Sequence, residues 1–158
     1  MAVWVLLCPM NVPGLRSPHV KTGGIVYFAR MLDKIRLHAA GNLPSDYLEN
    51  LGKGFDERII DFLRLKYSML VERMKQGGTD EEILAWAYQY GRKPSEEEIE
   101  VWNDFMSKRG WNDPMSPRLA MRLKEGGFED RTDIQTFFDF IDLDEGRDPV
   151  NRSLDCVA

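Results

Sequence analysis

One stretch near the N-terminus constrains the fold more than any other, residues 23–40, GGIVYFARMLDKIRLHAA. At 100° per residue its apolar side chains form one continuous stripe, as on a helix that packs against a core. The stripe consists of Ile25, Phe28, Met31, Leu32, Ile35 and Ala39. The opposite face mixes charged and apolar residues, whereas an ordinary surface helix is polar there. We therefore expect a central helix that is covered on two sides and encloses some of its charges.

The rest of the chain predicts further short helices. Three Ser or Thr residues stand three positions before Glu or Gln, which is the spacing of a capping box at a helix start. These pairs are Thr79 with Glu82, Ser95 with Glu98, and Thr132 with Gln135. No segment alternates apolar and polar residues as a strand does. The sequence predicts an all-α protein with a single compact domain of six or seven short helices over residues 15–147. Residues 1–14 are expected to form an irregular extension, and residues 148–158 a tail.

Composition indicates a soluble globular protein. Of the 158 residues, 43% are hydrophobic and 30% charged, and the net charge of −5 makes nucleic acid an unlikely partner. The apolar segment at residues 2–8 is shorter than the roughly 20 residues of a membrane span, so we expect no membrane association. Cys8 and Cys156 are expected to be free thiols in a reducing cytoplasm, with a bond between the termini as the alternative. Met10 remains an alternative natural start.

Charge is distributed unevenly along the chain. Residues 1–41 carry five basic side chains against Asp33 alone, and residues 129–148 carry eight acidic side chains against two basic ones. The acids of the segment DLDEGR end a predicted helix, where they oppose the helix macrodipole and need a nearby positive charge. We therefore expect an ion-pair network that joins the basic residues Arg30, Lys34 and Arg36 to the acidic residues Asp142, Asp144 and Glu145.

The same segment does not fit a calcium loop. Counted from Asp142, glycine stands fifth instead of sixth, and the twelfth residue is Ser153 instead of glutamate. The sequence predicts no metal and no cofactor.

A second hypothesis concerns the start of the first helix. Thr22 and the two glycines that follow would leave free backbone N–H groups beside Lys21 and Arg16, and helix N-termini bind anions readily. A phosphate or carboxylate is therefore a candidate ligand there. The complete candidate set, as a ligand site or a charge network, is Arg16, Lys21, Thr22, Arg30, Asp33, Lys34, Arg36, Asp142, Asp144, Glu145 and Arg147.

Sequence motifs identify no reaction. Serine hydrolase, zinc protease, P-loop and dinucleotide-binding patterns are absent, so catalytic residues stay unknown. Among the tryptophans, Trp111 is the one best placed to line a cleft, because it follows Gly110 just past a predicted helix end, beside Lys108 and Arg109.

Four segments carry a resemblance to a known family: MLDKIRLHAAG, GFDER, PSEEEIEVWNDFMSKRGW and IQTFFDFIDLDEGR. Over residues 15–147 the chain resembles a bacterial family of small uncharacterised proteins, a domain of unknown function of about this length. The resemblance implies no reaction, ligand or catalytic residue.

The expected function is that of a non-enzymatic binding or interaction module with an unknown protein partner. The candidate surface is the charged face of the first helix together with DLDEGR. The alternative is a small enzyme or a protein that binds an anionic or phosphate ligand through the same residues. The oligomeric state is left open.

Overall fold

A computed structural model describes residues 11–149 of the chain. Cys8, Cys156 and the alternative start at Met10 lie outside the described residues. The described part is mostly helical, with seven α-helices and one two-stranded hairpin, so the predicted all-α class and number of helices are confirmed. None of the helices in this part is long and apolar enough to cross a membrane. The described residues divide into two compact units, Val12–Met106 and the residues from Ser107 onward, and each is described by itself.

The first unit begins with a hairpin of two short antiparallel strands, β1 (Lys21–Thr22) and β2 (Ile25–Val26). Four helices follow: α1 (Phe28–Ala39), α2 (Phe55–Phe62), α3 (Tyr67–Met74) and α4 (Asp80–Tyr90). A 3-10 helix, Ser45–Asn50, lies between α1 and α2. The fifth helix, α5, spans Glu96–Lys108, and the unit ends within its last turn, at Met106.

The predicted start of the first helix at Gly23 is wrong. Gly23 and Gly24 have φ angles of 55° and 82°, and two successive residues with positive φ make the tight turn that joins paired strands. Thr22 pairs with Ile25 across this turn, and α1 begins only at Phe28. The predicted helix began too early because Ile25, an apolar strand residue, also falls on the helix's stripe.

The two covered faces predicted for this helix are confirmed. Phe28, Met31 and Leu32 are completely buried, and Ile35 is nearly so, whereas Ala39 at the C-terminal end is exposed. The charged residues Arg30, Asp33 and Lys34 are buried as well. Because a buried charge without a partner costs several kcal/mol, their partners decide what this region does.

Two of the three predicted capping boxes are present. Thr79 and Glu82 exchange hydrogen bonds at the start of α4, as do Ser95 and Glu98 at the start of α5. Each box satisfies two backbone N–H groups that the helix itself leaves free.

The second unit contains two helices, α6 (Ser116–Glu125) and α7 (Phe137–Asp144). The capping box predicted at Thr132 is wrong, because α7 is capped by Thr136, whose hydroxyl accepts from the Asp139 amide. The Phe137 amide donates to the Arg109 carbonyl, so this backbone N–H is satisfied by another part of the unit.

Candidate functional site

Asp33, in the middle of α1, lies in a network of four charged residues, which we name the Asp33 cluster: Arg16, Asp33, Arg36 and Asp80. The Arg16 guanidinium binds Asp33 through Nε and Nη2, each at 2.8 Å, and reaches Asp80 at 2.6 Å. Arg36 donates to the second oxygen of Asp80, also at 2.6 Å. Two arginines and two aspartates cancel in charge, and the bidentate geometry of Arg16 is the strong form of this contact.

Asp80 occupies the first turn of α4, where the helix macrodipole favours a negative charge. Burial is the largest single influence on its pKa and would raise it. The hydrogen bonds and charges of Arg16 and Arg36 together outweigh burial, so the pKa of Asp80 is lowered. The hydrogen bond to Asp33, followed by that to Asp80, raises the pKa of Arg16 against the opposing effect of burial. The pKa shifts of Asp80 and Arg16 therefore both favour the charged form of the group.

A second set of polar groups lies deeper, and we name it the buried triad: Tyr27, Lys34 and Asp56. Lys34 Nζ is 2.6 Å from Asp56 Oδ1 and 3.1 Å from the Tyr27 hydroxyl, which itself donates to Asp56 at 2.9 Å. The side chains of Lys34 and Asp56 are 6% and 0% exposed. The other oxygen of Asp56 accepts from the Gly52 amide at 3.0 Å. Such complete hydrogen bonding is what a buried ion pair requires.

The surroundings of the triad carry two further signs of constraint. Tyr27 has a φ of 73°, a conformation that is rare and costly for a bulky residue, and its ring packs edge-on against Phe55. Burial and the nearby charge of Asp56 raise the pKa of Tyr67 to about 12. The triad is therefore held by packing on several sides.

The remaining predicted residues of the first unit have separate positions. Arg30 is buried and donates to the Arg16 carbonyl at 3.0 Å. Lys21 is exposed and Thr22 buried on the hairpin. Because the hairpin precedes α1, the backbone amides of Gly23 and Gly24 are not at a helix N-terminus, and the argument for an anion there loses its basis.

The predicted acids of DLDEGR lie in the second unit. Asp142 and Glu145 are buried, and both pair with Arg147. Burial and the adjacent charge of Glu145 raise the pKa of Asp144, which is half-buried. Arg147 thus supplies a positive charge to acids at the end of α7, where the macrodipole opposes them.

Sequence reasoning missed three residues of these sets, Asp80, Asp56 and Tyr27. One signal was available for Asp56, because it lies three, four and seven positions before the buried residues Ile59, Ile60 and Leu63. An acid on the buried stripe of a helix requires a partner. Asp80 had no such signal, because it stands in an acidic first turn typical of any helix.

Two cavities are described, one in each unit. A groove of about 330 Å³ borders α3 and α4 and is lined by Met69 and Trp86, among others. A cavity of about 290 Å³ lies in the second unit and is lined by Trp111 and Gln135, among others. Neither is lined by any of the eleven predicted site residues. Within residues 11–149, no group of three or more His, Cys, Asp or Glu is placed to hold a metal ion.

The fold and these sets define a mainly helical protein whose central charges are paired with one another. Its residues 12–147 match a family model described as "Domain of unknown function (DUF5069)", and the chain belongs to this family. The predicted resemblance to a small uncharacterised domain is thereby confirmed. The family model indicates no function. A comparison with curated proteins gives no match.

Proposed function

We propose that this protein is a non-enzymatic interaction module and that the charged face of α1 is a structural network. General acid–base catalysis requires a titratable group that a substrate can reach, and the side chains of Asp33, Lys34 and Asp56 are buried and hydrogen-bonded. Each of them already has a partner of opposite charge. This arrangement favours a role in holding α1, α2 and α4 together. The bacterial source and the cytoplasmic location stay predictions from the sequence.

The observation that carries this proposal is the groove that borders α3 and α4, which we name the α3–α4 groove. Met69 and Tyr90 are 40% and 58% exposed, and the rings of Trp86 and Tyr90 lie 5.2 Å apart. Trp, Tyr and Met are enriched at protein interfaces, where aromatic residues supply most of the binding energy. A groove between two helices with apolar anchors, here Met69 and Trp86, accepts the apolar face of a partner helix.

Polar residues border the same groove. Glu72 pairs with Lys75 at 2.6 Å, and Arg73 donates to the Gly77 carbonyl at 2.6 Å. The Glu72–Lys75 pair is exposed, so it contributes little to stability and can rearrange when a partner arrives. The groove therefore suits a polypeptide with one or two apolar anchors and polar residues on either side of them.

A peptide selection on the intact protein tests this proposal. Amphipathic helical peptides selected from a displayed library should bind the wild-type chain, and their affinity should fall at least about tenfold in Trp86→Ala, as for an interface hot spot. Trp111→Ala is the matched control, since it changes a tryptophan outside the groove and should leave the affinity unchanged. Peptides that bind both variants as tightly as wild type would reject the groove as the contact surface.

A thermal-unfolding panel tests the alternative of an anion ligand. Phosphate, carboxylates and divalent metal ions should give no stabilisation that depends on the charged residues around α1. A ligand stabilises the folded state by mass action, so a bound phosphate should raise the Tm. If phosphate raises the Tm of the wild type but not that of the Arg16→Ala, Lys21→Ala double variant or of Arg36→Ala, the result would favour the anion-binding function instead.

A further inference from the structure

The cavity of the second unit, which we name the Trp111 cavity, has an apolar wall and a polar rim. Leu119, Leu123 and Ile134 line it on the apolar side. Trp111, Asn112 and Gln135 line it with polar groups, and Trp111 is 52% exposed. Trp111 thus lines a shallow depression, and Lys108 and Arg109, which were predicted beside it, are not among the lining residues.

The loop that carries Trp111 is fixed by one aspartate. The carboxylate of Asp113 accepts from the backbone amides of Gly110 at 2.9 Å and Met115 at 2.7 Å. It also pairs with Arg109, and the Asp113 amide donates to the Ser116 hydroxyl. These four contacts hold residues 109–116 in one conformation, so the rim of the cavity is formed before any ligand binds. A preformed rim lowers the entropy cost of binding.

Three lining side chains keep unused hydrogen-bonding groups. In the described part of the chain, no residue forms a hydrogen bond with the indole N–H of Trp111 or with the side-chain amides of Asn112 and Gln135. By contrast, the Asp113 carboxylate and the Ser116 hydroxyl on the same loop are both engaged. These exposed groups can therefore bind a ligand without breaking an internal contact.

These features select a particular ligand chemistry. Among residues 11–149, no charged side chain lines the cavity, and this part of the lining favours a neutral ligand. A tryptophan face stacks on flat rings, and a side-chain amide offers a donor beside an acceptor, the pattern by which Asn and Gln pair with adenine. The cavity is small, about 290 Å³, and open to solvent, so it can cover only part of a ligand such as one face of a ring system. The geometry points to a binding site for a neutral planar heterocycle of the nucleobase class.

Titration of the full chain with free nucleosides tests this site. Adenosine, guanosine, cytidine and uridine are added separately to the ¹⁵N-labelled protein, with ribose and inorganic phosphate as controls. At least one nucleoside should shift the Trp111 indole cross-peak saturably, and neither control should. No saturable response to any of the four nucleosides, or an equal response to ribose or phosphate, would overturn the proposal.

Variants locate the binding. In calorimetry, Trp111→Ala should raise the Kd for the nucleoside about tenfold or more, which is the usual effect of removing an aromatic stacking partner. Gln135→Ala should also raise this Kd, and Trp86→Ala should leave it unchanged. Equal affinity in wild type, Trp111→Ala and Gln135→Ala would also reject the site. Trp86 and Trp111 serve as each other's controls. Failure of the nucleobase-site proposal can therefore be distinguished from failure of the proposal that the α3–α4 groove binds a peptide.

Discussion

The charged region around α1 and the Trp111 cavity differ in how their polar groups are satisfied. In the Asp33 cluster and the buried triad, each carboxylate is paired with a cationic side chain. In the Trp111 cavity, three polar side chains are without an internal partner among the described residues. A buried polar group must be paired within the protein, whereas an exposed one can exchange water for a ligand. The comparison teaches why we propose a structural role for the charges around α1 and a ligand site at the less conspicuous neutral cavity.

The largest expected effect comes from breaking the buried triad. Lys34→Met leaves the Asp56 carboxylate buried without its cation, so the free energy of unfolding should fall by about 3–5 kcal/mol. Urea denaturation measures this free energy of unfolding. Combining Lys34→Met with Asp56→Asn should recover more than half of the loss, because no unpaired charge then remains. Lys66→Met, at an exposed lysine, serves as the control. A loss below about 1 kcal/mol for Lys34→Met would show that the triad is not the anchor described here.

A smaller effect is expected at the Asp33 cluster. Asp80→Asn removes one partner of both Arg16 and Arg36, and the unfolding free energy at pH 7 should fall by about 1 kcal/mol. Because folding lowers the pKa of Asp80, its contribution is present above its ordinary value of 3.8 and is lost as the pH falls through the lowered one. The difference in unfolding free energy between the wild type and Asp80→Asn should therefore vanish in acid.

Unfolding curves from pH 7 to pH 2 check this prediction. Asp61→Asn, at an exposed acid of α2 outside the cluster, is the matched control. A difference between wild type and Asp80→Asn that stays constant over the whole pH range would contradict an electrostatic origin.

The smallest effect is expected at the Trp111 cavity. Trp111→Ala should change the unfolding free energy by no more than about 0.5 kcal/mol, because the side chain is half exposed and has no internal hydrogen bond in the described part of the chain. Trp102→Ala, at a buried tryptophan, should cost about 3–5 kcal/mol in the same experiment. Similar losses for both tryptophans would remove the distinction between a region that stabilises and a region that binds.

The sequence predicted the helices better than the contacts between them. The capping boxes at Thr79 and Ser95 are local, because each needs only residues three positions apart, and both are present. The turn at Gly23 and Gly24 was misread because a pair of glycines can precede a helix or join two strands. Only the pairing of Thr22 with Ile25 distinguishes the two cases.

The candidate site was predictable only in part. The sequence shows that the charges on a covered face of α1 need partners. It does not show which residues those partners are. Arg36 pairs with Asp80, 44 positions away, and this choice depends on how α4 packs. Only one sequence feature indicated the Trp111 cavity, namely a tryptophan that follows a helix-ending glycine. Gln135 was not predicted as its neighbour, because the fold alone brings it there.

The side chain of Asn103 on α5 completes the hairpin in the manner of a third strand. Its oxygen accepts from the Val26 amide at 3.0 Å, and its nitrogen donates to the Gly24 carbonyl at 2.8 Å. The indole of Trp102 adds a bond to the Val26 carbonyl. An open strand edge is a template on which other chains can pair and aggregate. The Asn103 amide thus occupies the edge of β2 with a group too short to be extended, so no other chain can add a strand at Val26 while α5 is in place.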